Sequence, residues 1–151
     1  MRRPPAILSG LLRLAGCLLG PQPVFGQDTP PAWAAPPIRS AVCVRDGRSG
    51  AVIPFDALLD QLAQADVVFL GETHDDETTH RLELAVYEGL LQRKPQQVVL
   101  AMEMFERDVQ QVLDDYLAGR TDEQQLLAQS RPWANYHTAY RPLIELARQT
   151  Q

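Results

Sequence analysis

Two short apolar runs, Val67-Val68-Phe69-Leu70 and Val98-Val99-Leu100-Ala101-Met102, bracket a stretch in which Leu82, Ala85, Val86, Gly89 and Leu90 recur at helical spacing. No other feature constrains the fold as much. A continuous apolar run of this length suits a strand covered on both faces. Strand, helix and strand within roughly thirty to forty residues make a βαβ unit. Such a unit has parallel strands and a right-handed crossover. The expectation is an α/β fold built on a parallel βαβ core.

The flanking sequence adds smaller elements. Ala41 to Val44 and Ala51 to Ile53 are apolar and are separated by the turn pairs Asp46-Gly47 and Ser49-Gly50, which predicts a hairpin. Pro54 suits the start of a helix that carries Phe55, Leu58, Leu59 and Leu62 on one side. Asp75 or Asp76 caps the helix between the two runs, and Pro95 stops it. Phe105, Val109, Val112, Leu113, Tyr116 and Leu117 predict an amphipathic helix that ends at Gly119. Thr121-Asp122-Glu123-Gln124 has the form of a capping box and opens a short helix through Leu127. The region from Trp133 to Tyr140 is aromatic and irregular, and Leu143, Ile144, Leu146 and Ala147 mark a last helix. Two parallel strands do not make a stable sheet alone. The expectation is therefore an incomplete domain, the first half of a larger α/β fold.

The N-terminus reads as an address rather than as fold. Met1-Arg2-Arg3 is basic, residues 6–19 are mostly apolar, and small residues follow, which is the layout of an export signal spanning 1–26. Leu14-Ala15-Gly16-Cys17 has the form of a bacterial lipobox, and cleavage before Cys17 with a lipid anchor there is the alternative to a cut before Gln27. Residues 27–40 begin with a Pro- and Ala-rich tract and read as a linker; 41–151 hold the domain. Cys43 is then left without an intramolecular partner, and a small, half-buried thiol is expected. The formal net charge of −5 argues against a nucleic-acid partner, which would call for clustered Lys and Arg.

The first apolar run ends in Gly71-Glu72-Thr73-His74, with His80 in the first turn of the following helix; the second ends in Glu103. In an open α/β sheet, ligands bind beyond the carboxyl ends of the strands. Glu72, His74, His80 and Glu103 are thus the candidate metal ligands, for an ion such as Zn²⁺ or Mn²⁺. Glu72, His74 and Glu103 are candidates for general acid and base work. The bland alternative is that the carboxylates favour the helix N-terminus and the histidines are solvated. Tyr136, His137 and Tyr140 are haem-ligand candidates by residue type, against a default of loop packing.

Gly71-Glu72-Thr73-His74 with His80, then Leu100 to Phe105, then Tyr140 to Arg148, together resemble the ChaN-like haem-binding uptake proteins of the Tiki superfamily. The resemblance runs from about residue 41 to the end of the sequence and covers the N-terminal portion of the family domain. It implies an exported protein of the bacterial periplasm or outer membrane, often a lipoprotein at the envelope membrane, that binds haem for haem or iron uptake. It leaves a homodimer of the full-length protein open. In the family group, haem ligation uses tyrosine. The wider superfamily implies a second reading, a metal-dependent hydrolase of the Tiki and erythromycin-esterase type, with a metal-activated water as nucleophile. Glu72, His74 and Glu103 match the superfamily's polar centre, and His80 matches the additional histidine of the ChaN-like group.

Overall fold

The structure is a computed structural model that describes residues 38–150. The expected signal, the lipobox at Cys17 and the greater part of the linker lie outside the described residues. A first short helix, α1 (Ile38–Ala41), takes up the linker's last residues and buries Ile38. The hairpin follows, with β1 (Val44–Arg45) antiparallel to β2 (Val52–Ile53) and Val44 opposite Ile53. Its turn is held by Asp46, whose carboxylate accepts from the Ser49 amide at 2.7 Å and the Arg48 amide at 3.1 Å. Gly50 sits at φ +70, where a side chain would be strained. Cys43 is exposed, not half-buried as expected, because the strand beside it is only two residues long and no described residue covers that side.

The remaining regular elements among the described residues are helical. They are α2 (Phe55–Leu62), α3 (Glu77–Arg93), α4 (Gln110–Leu117), α5 (Glu123–Ser130) and α6 (Arg141–Thr150). One 3₁₀ turn, Arg107–Val109, leads into α4, and one π turn, Tyr136–Tyr140, leads into α6. The described residues are thus mostly helical with one small antiparallel sheet, which matches the α/β expectation only in part. The parallel βαβ core is not formed among the described residues. Residues 67–70 and 98–102 carry no ladder, although α3 lies between them in sequence as expected. The physical reason is the lack of a partner among the described residues. Val67, Phe69 and Val99 are 65%, 92% and 90% exposed, so neither run is covered on its two faces.

Caps explain where the helices begin. Asp76 accepts from the amides of Thr78 and Thr79 at 3.2 and 3.0 Å and so fixes the start of α3. For α5 the cap is Asp122, which accepts from the Gln125 amide at 2.8 Å, rather than Thr121 of the expected capping box. The α5 helix also runs three residues past Leu127, to Ser130, and ends at Arg131 in the left-handed conformation. Gly119, at φ +69, closes α4 as expected.

Two packed regions position the site. Ile38, Phe55, Leu59, Ala85 and Val86 join α1 and α2 to α3. Met104, Tyr116, Leu126, Tyr136, Ala139, Tyr140 and Ile144 join α4, α5, the π turn and α6. A third group, Leu84, Tyr87 and Leu143, ties α3 to α6. The start of α3 is thereby held against the π turn.

Candidate functional site

The segment after residue 70 and the π turn meet around the carbonyl of His74. Asn135 Nδ2 donates to that oxygen at 2.8 Å, and His80 Nε2 lies 2.9 Å from it. His80 Nε2 is therefore the protonated nitrogen, because a carbonyl only accepts. One side chain from each flanking element pins the loop backbone at His74. That ring stands edge-on to Trp133, with centroids 5.0 Å apart, and Trp133 in turn meets Tyr140 at 5.4 Å.

Glu72 is the hub. Its Oε1 is 3.1 Å from His74 Nδ1 and 3.5 Å from His80 Nδ1, and it accepts a hydrogen bond from the Tyr140 hydroxyl. Glu83, one turn beyond His80 on α3, places Oε2 3.3 Å from His80 Nδ1. Burial alone would raise the Glu72 carboxyl. The hydrogen bonds from Tyr140 and His74, and the two imidazoles, outweigh it, and the group is held below its ordinary value. His74 is raised, first by its hydrogen bond to Glu72 and also by the Glu72 charge, with a contribution from Glu103. Burial, and then repulsion from Glu72, raise Glu83. Burial and the bond to Glu72 push the Tyr140 hydroxyl far up.

The sequence-predicted residues divide accordingly. Glu72, His74 and His80 come together. Glu103 is exposed and lines the same groove as Glu72 and His74, close enough for its charge to act on His74. Tyr136 and Tyr140 are each 2% exposed and are bound through their hydroxyls to Glu123 and Glu72; His137 is exposed. Sequence reasoning missed Glu83. Its signal was the spacing His80 to Glu83, three residues apart on one helix, which brings the two side chains onto one face.

Glu72, His80 and Glu83 each offer an atom to one point, all within 4.8 Å of one another. With Nε2 protonated, the remaining lone pair of a neutral His80 faces two carboxylate oxygens. Three acceptors around one point call for a cation, either a proton or a metal ion.

Two hollows adjoin the cluster. One, of about 1030 Å³, runs between residues 67–70 and 98–102 over Val86, Tyr87 and Leu143, and reaches Glu72 and His74 at one end. The other, of about 660 Å³, is bounded by His74, His80, Asn135, His137, Arg141 and Pro142. His74 lines both.

The family described as "Haem-binding uptake, Tiki superfamily, ChaN" matches residues 58–151. No curated protein and no solved structure matches the chain.

Proposed function

The chain belongs to the ChaN family of haem-binding uptake proteins in the Tiki superfamily, and we propose that it is an exported envelope protein of bacteria that binds haem as cargo for haem or iron uptake. The observation that carries this reading beyond family membership is the half-exposed His74 imidazole, set edge-on against Trp133 at the rim of a hollow of about 660 Å³. That size lies in the range of small-molecule sites. An exposed imidazole at the rim of a hollow suits a ligand that carries a metal.

The test is titration of the 151-residue chain with haemin. A saturable complex with a shifted Soret band supports the reading; unsaturable, featureless uptake that any apolar surface would give refutes it. Export is tested separately, by mass spectrometry of the mature N-terminus. A diacylglyceryl-modified Cys17 supports a lipid anchor and an N-terminus at Gln27 supports ordinary secretion; an intact Met1 in the cytoplasm refutes both.

A second reading is favoured by one specific observation, the convergence of Glu72, His80 and Glu83. These residues fit a divalent ion such as Zn²⁺ or Mn²⁺, which would supply Lewis-acid chemistry for hydrolysis. His74 and Glu103, beside the triad, would then handle protons. Elemental analysis of the purified chain, repeated on Glu83→Gln, separates this reading from the first. A stoichiometric metal lost in the variant supports it, and a metal-free wild type overturns it.

A further inference from the structure

Two of the three residues that converge on one point, His80 and Glu83, stand three residues apart on α3, so the helix itself fixes their spacing. Glu72 comes from a segment without regular structure, between the exposed Gly71 and Thr73. Its local backbone does not set where the carboxylate lies relative to α3, so a contact from another element has to. Two side chains meet its Oε1. His74 Nδ1 lies 3.1 Å away, but that ring is half open to water and belongs to the same irregular stretch. The Tyr140 hydroxyl donates to the same oxygen, and Tyr140 is 2% exposed. An ionised carboxylate only accepts and a phenol keeps its proton across the neutral range, so the direction of that bond is fixed.

Tyr140 is itself firmly placed. Its ring stands edge-on to His80, at 4.9 Å between centroids, and to Trp133, at 5.4 Å. It packs in the covered group with Met104, Tyr116, Leu126, Tyr136, Ala139 and Ile144. Tyr140 thus touches two of the converging residues at once, Glu72 through its hydroxyl and His80 through its ring, and does so from the helical half of the molecule. The residue before the π turn, Asn135, ties the same segment a second time, through the His74 carbonyl at 2.8 Å. That carbonyl also takes His80 Nε2–H, at 2.9 Å, which leaves His80 Nδ1 directed at the two carboxylates. Carboxylates that bind a metal are oriented by outer hydrogen bonds of this kind.

Resting on the divalent-ion reading of Glu72, His80 and Glu83, we propose that Tyr140 is the positioning residue of that site, its hydroxyl holding the Glu72 carboxylate over the His80 and Glu83 face of α3. The experiment is calorimetric titration of the metal-free 151-residue chain with Zn²⁺ alone, for the wild type, Tyr140→Phe and Glu83→Gln. Phenylalanine keeps the ring and its contacts with His80 and Trp133 and removes only the hydroxyl. The wild type should bind the ion, Glu83→Gln should lose it, and Tyr140→Phe should bind on the order of 10–100-fold more weakly. The visible spectrum of the Co²⁺ complex reports the ligand set around the ion, and it should change in Tyr140→Phe; a role in packing alone would leave it as it is. Unchanged affinity or an unchanged Co²⁺ spectrum in Tyr140→Phe overturns the assignment. A second measurement needs no variant. With tyrosine labelled at Cζ, saturating Zn²⁺ should move the Tyr140 resonance of the wild type and leave that of Tyr116, which donates to Glu145, in place. A Tyr140 resonance that stays put while the ion binds overturns the assignment as well. A wild type that binds no ion overturns the divalent-ion reading itself, and the assignment with it.

Discussion

The two halves of this molecule treat apolar residues in opposite ways. Around α4, α5, the π turn and α6, nearly every large apolar side chain is covered, and Leu126 and Tyr116 are 0% and 1% exposed. Around residues 67–70 and 98–102, Phe69 and Val99 stand almost fully open. Yet the second region has the greasier sequence. A helix supplies its own backbone hydrogen bonds and needs a neighbour for only one stripe of its surface. An extended run satisfies neither need alone: its amides require a flanking strand and its side chains a layer on each face. Hydrophobicity reports the demand for burial, and topology decides whether that demand is met.

The largest test of this contrast is Leu126→Ala. The side chain is fully enclosed, so its loss should cost about 2–5 kcal/mol, read from a urea or thermal melt. A cost near zero would mean that the helical half is loosely filled and that the comparison fails on that side.

Legibility followed the same division. The hairpin, the helix starts at Phe55 and Asp76, the stop before Pro95 and the glycine at Gly119 are set by neighbours in sequence, and all could be read. The parallel pairing could not, because it depends on what flanks the two runs in space. The cap of α5 went to Asp122 rather than Thr121, a shift of one residue between two competent capping side chains. In the site, Glu72, His74 and His80 were legible as a dense polar stretch after an apolar run. The Glu72–Tyr140 bond spans 68 residues and leaves no local signal. Glu83 was hidden by its ordinary setting among charged positions of a helix.

Gly89→Ala should have the next largest effect. A Cβ there would lie 2.4 Å from Leu59 Cδ1, and Leu59 is fully buried, with little room to turn away. The expected cost is about 1–3 kcal/mol. A neutral result would show that α2 and α3 slide apart easily, and would place their contact with the open region rather than with the packed one. Asp76→Ala should follow at about 1 kcal/mol, since two amides lose their acceptor where α3 enters the site.

The Glu72–His74 pair should contribute less, because the imidazole is half open to water. Its pH dependence has a definite sign. His74 is raised, so its share of stability is present at low pH and is lost as pH rises through the folded value. Glu72 is lowered, so its share is present above its unfolded value and is lost as pH falls through the folded one. The pair therefore acts in a window of mildly acidic to neutral pH. Nuclear magnetic resonance titration should find His74 above its ordinary value of 6.5, falling back toward it in Glu72→Gln. A His74 value at or below the ordinary one would remove the hub from the site.

The smallest effect should come from the most apolar segment. Phe69 is 92% exposed, so Phe69→Ser removes a large aromatic ring but little burial, and stability should change by no more than about 0.5 kcal/mol. Val99→Ser, at 90% exposure, should behave alike. Amide exchange gives the companion measurement. Residues 67–70 and 98–102 should exchange far faster than α4 or α6, since no ladder protects them. Both observations can fail together in an informative way. A loss of about 2 kcal/mol or more in Phe69→Ser, with slow exchange at 67–70, would mean that the groove of about 1030 Å³ is covered in solution and that both runs are paired there. The contrast between the halves would then vanish, and the parallel core expected from the sequence would stand. If the substitution is silent and exchange is fast, the apolar run is a surface that awaits its partner, and the stability of the chain resides in its helices.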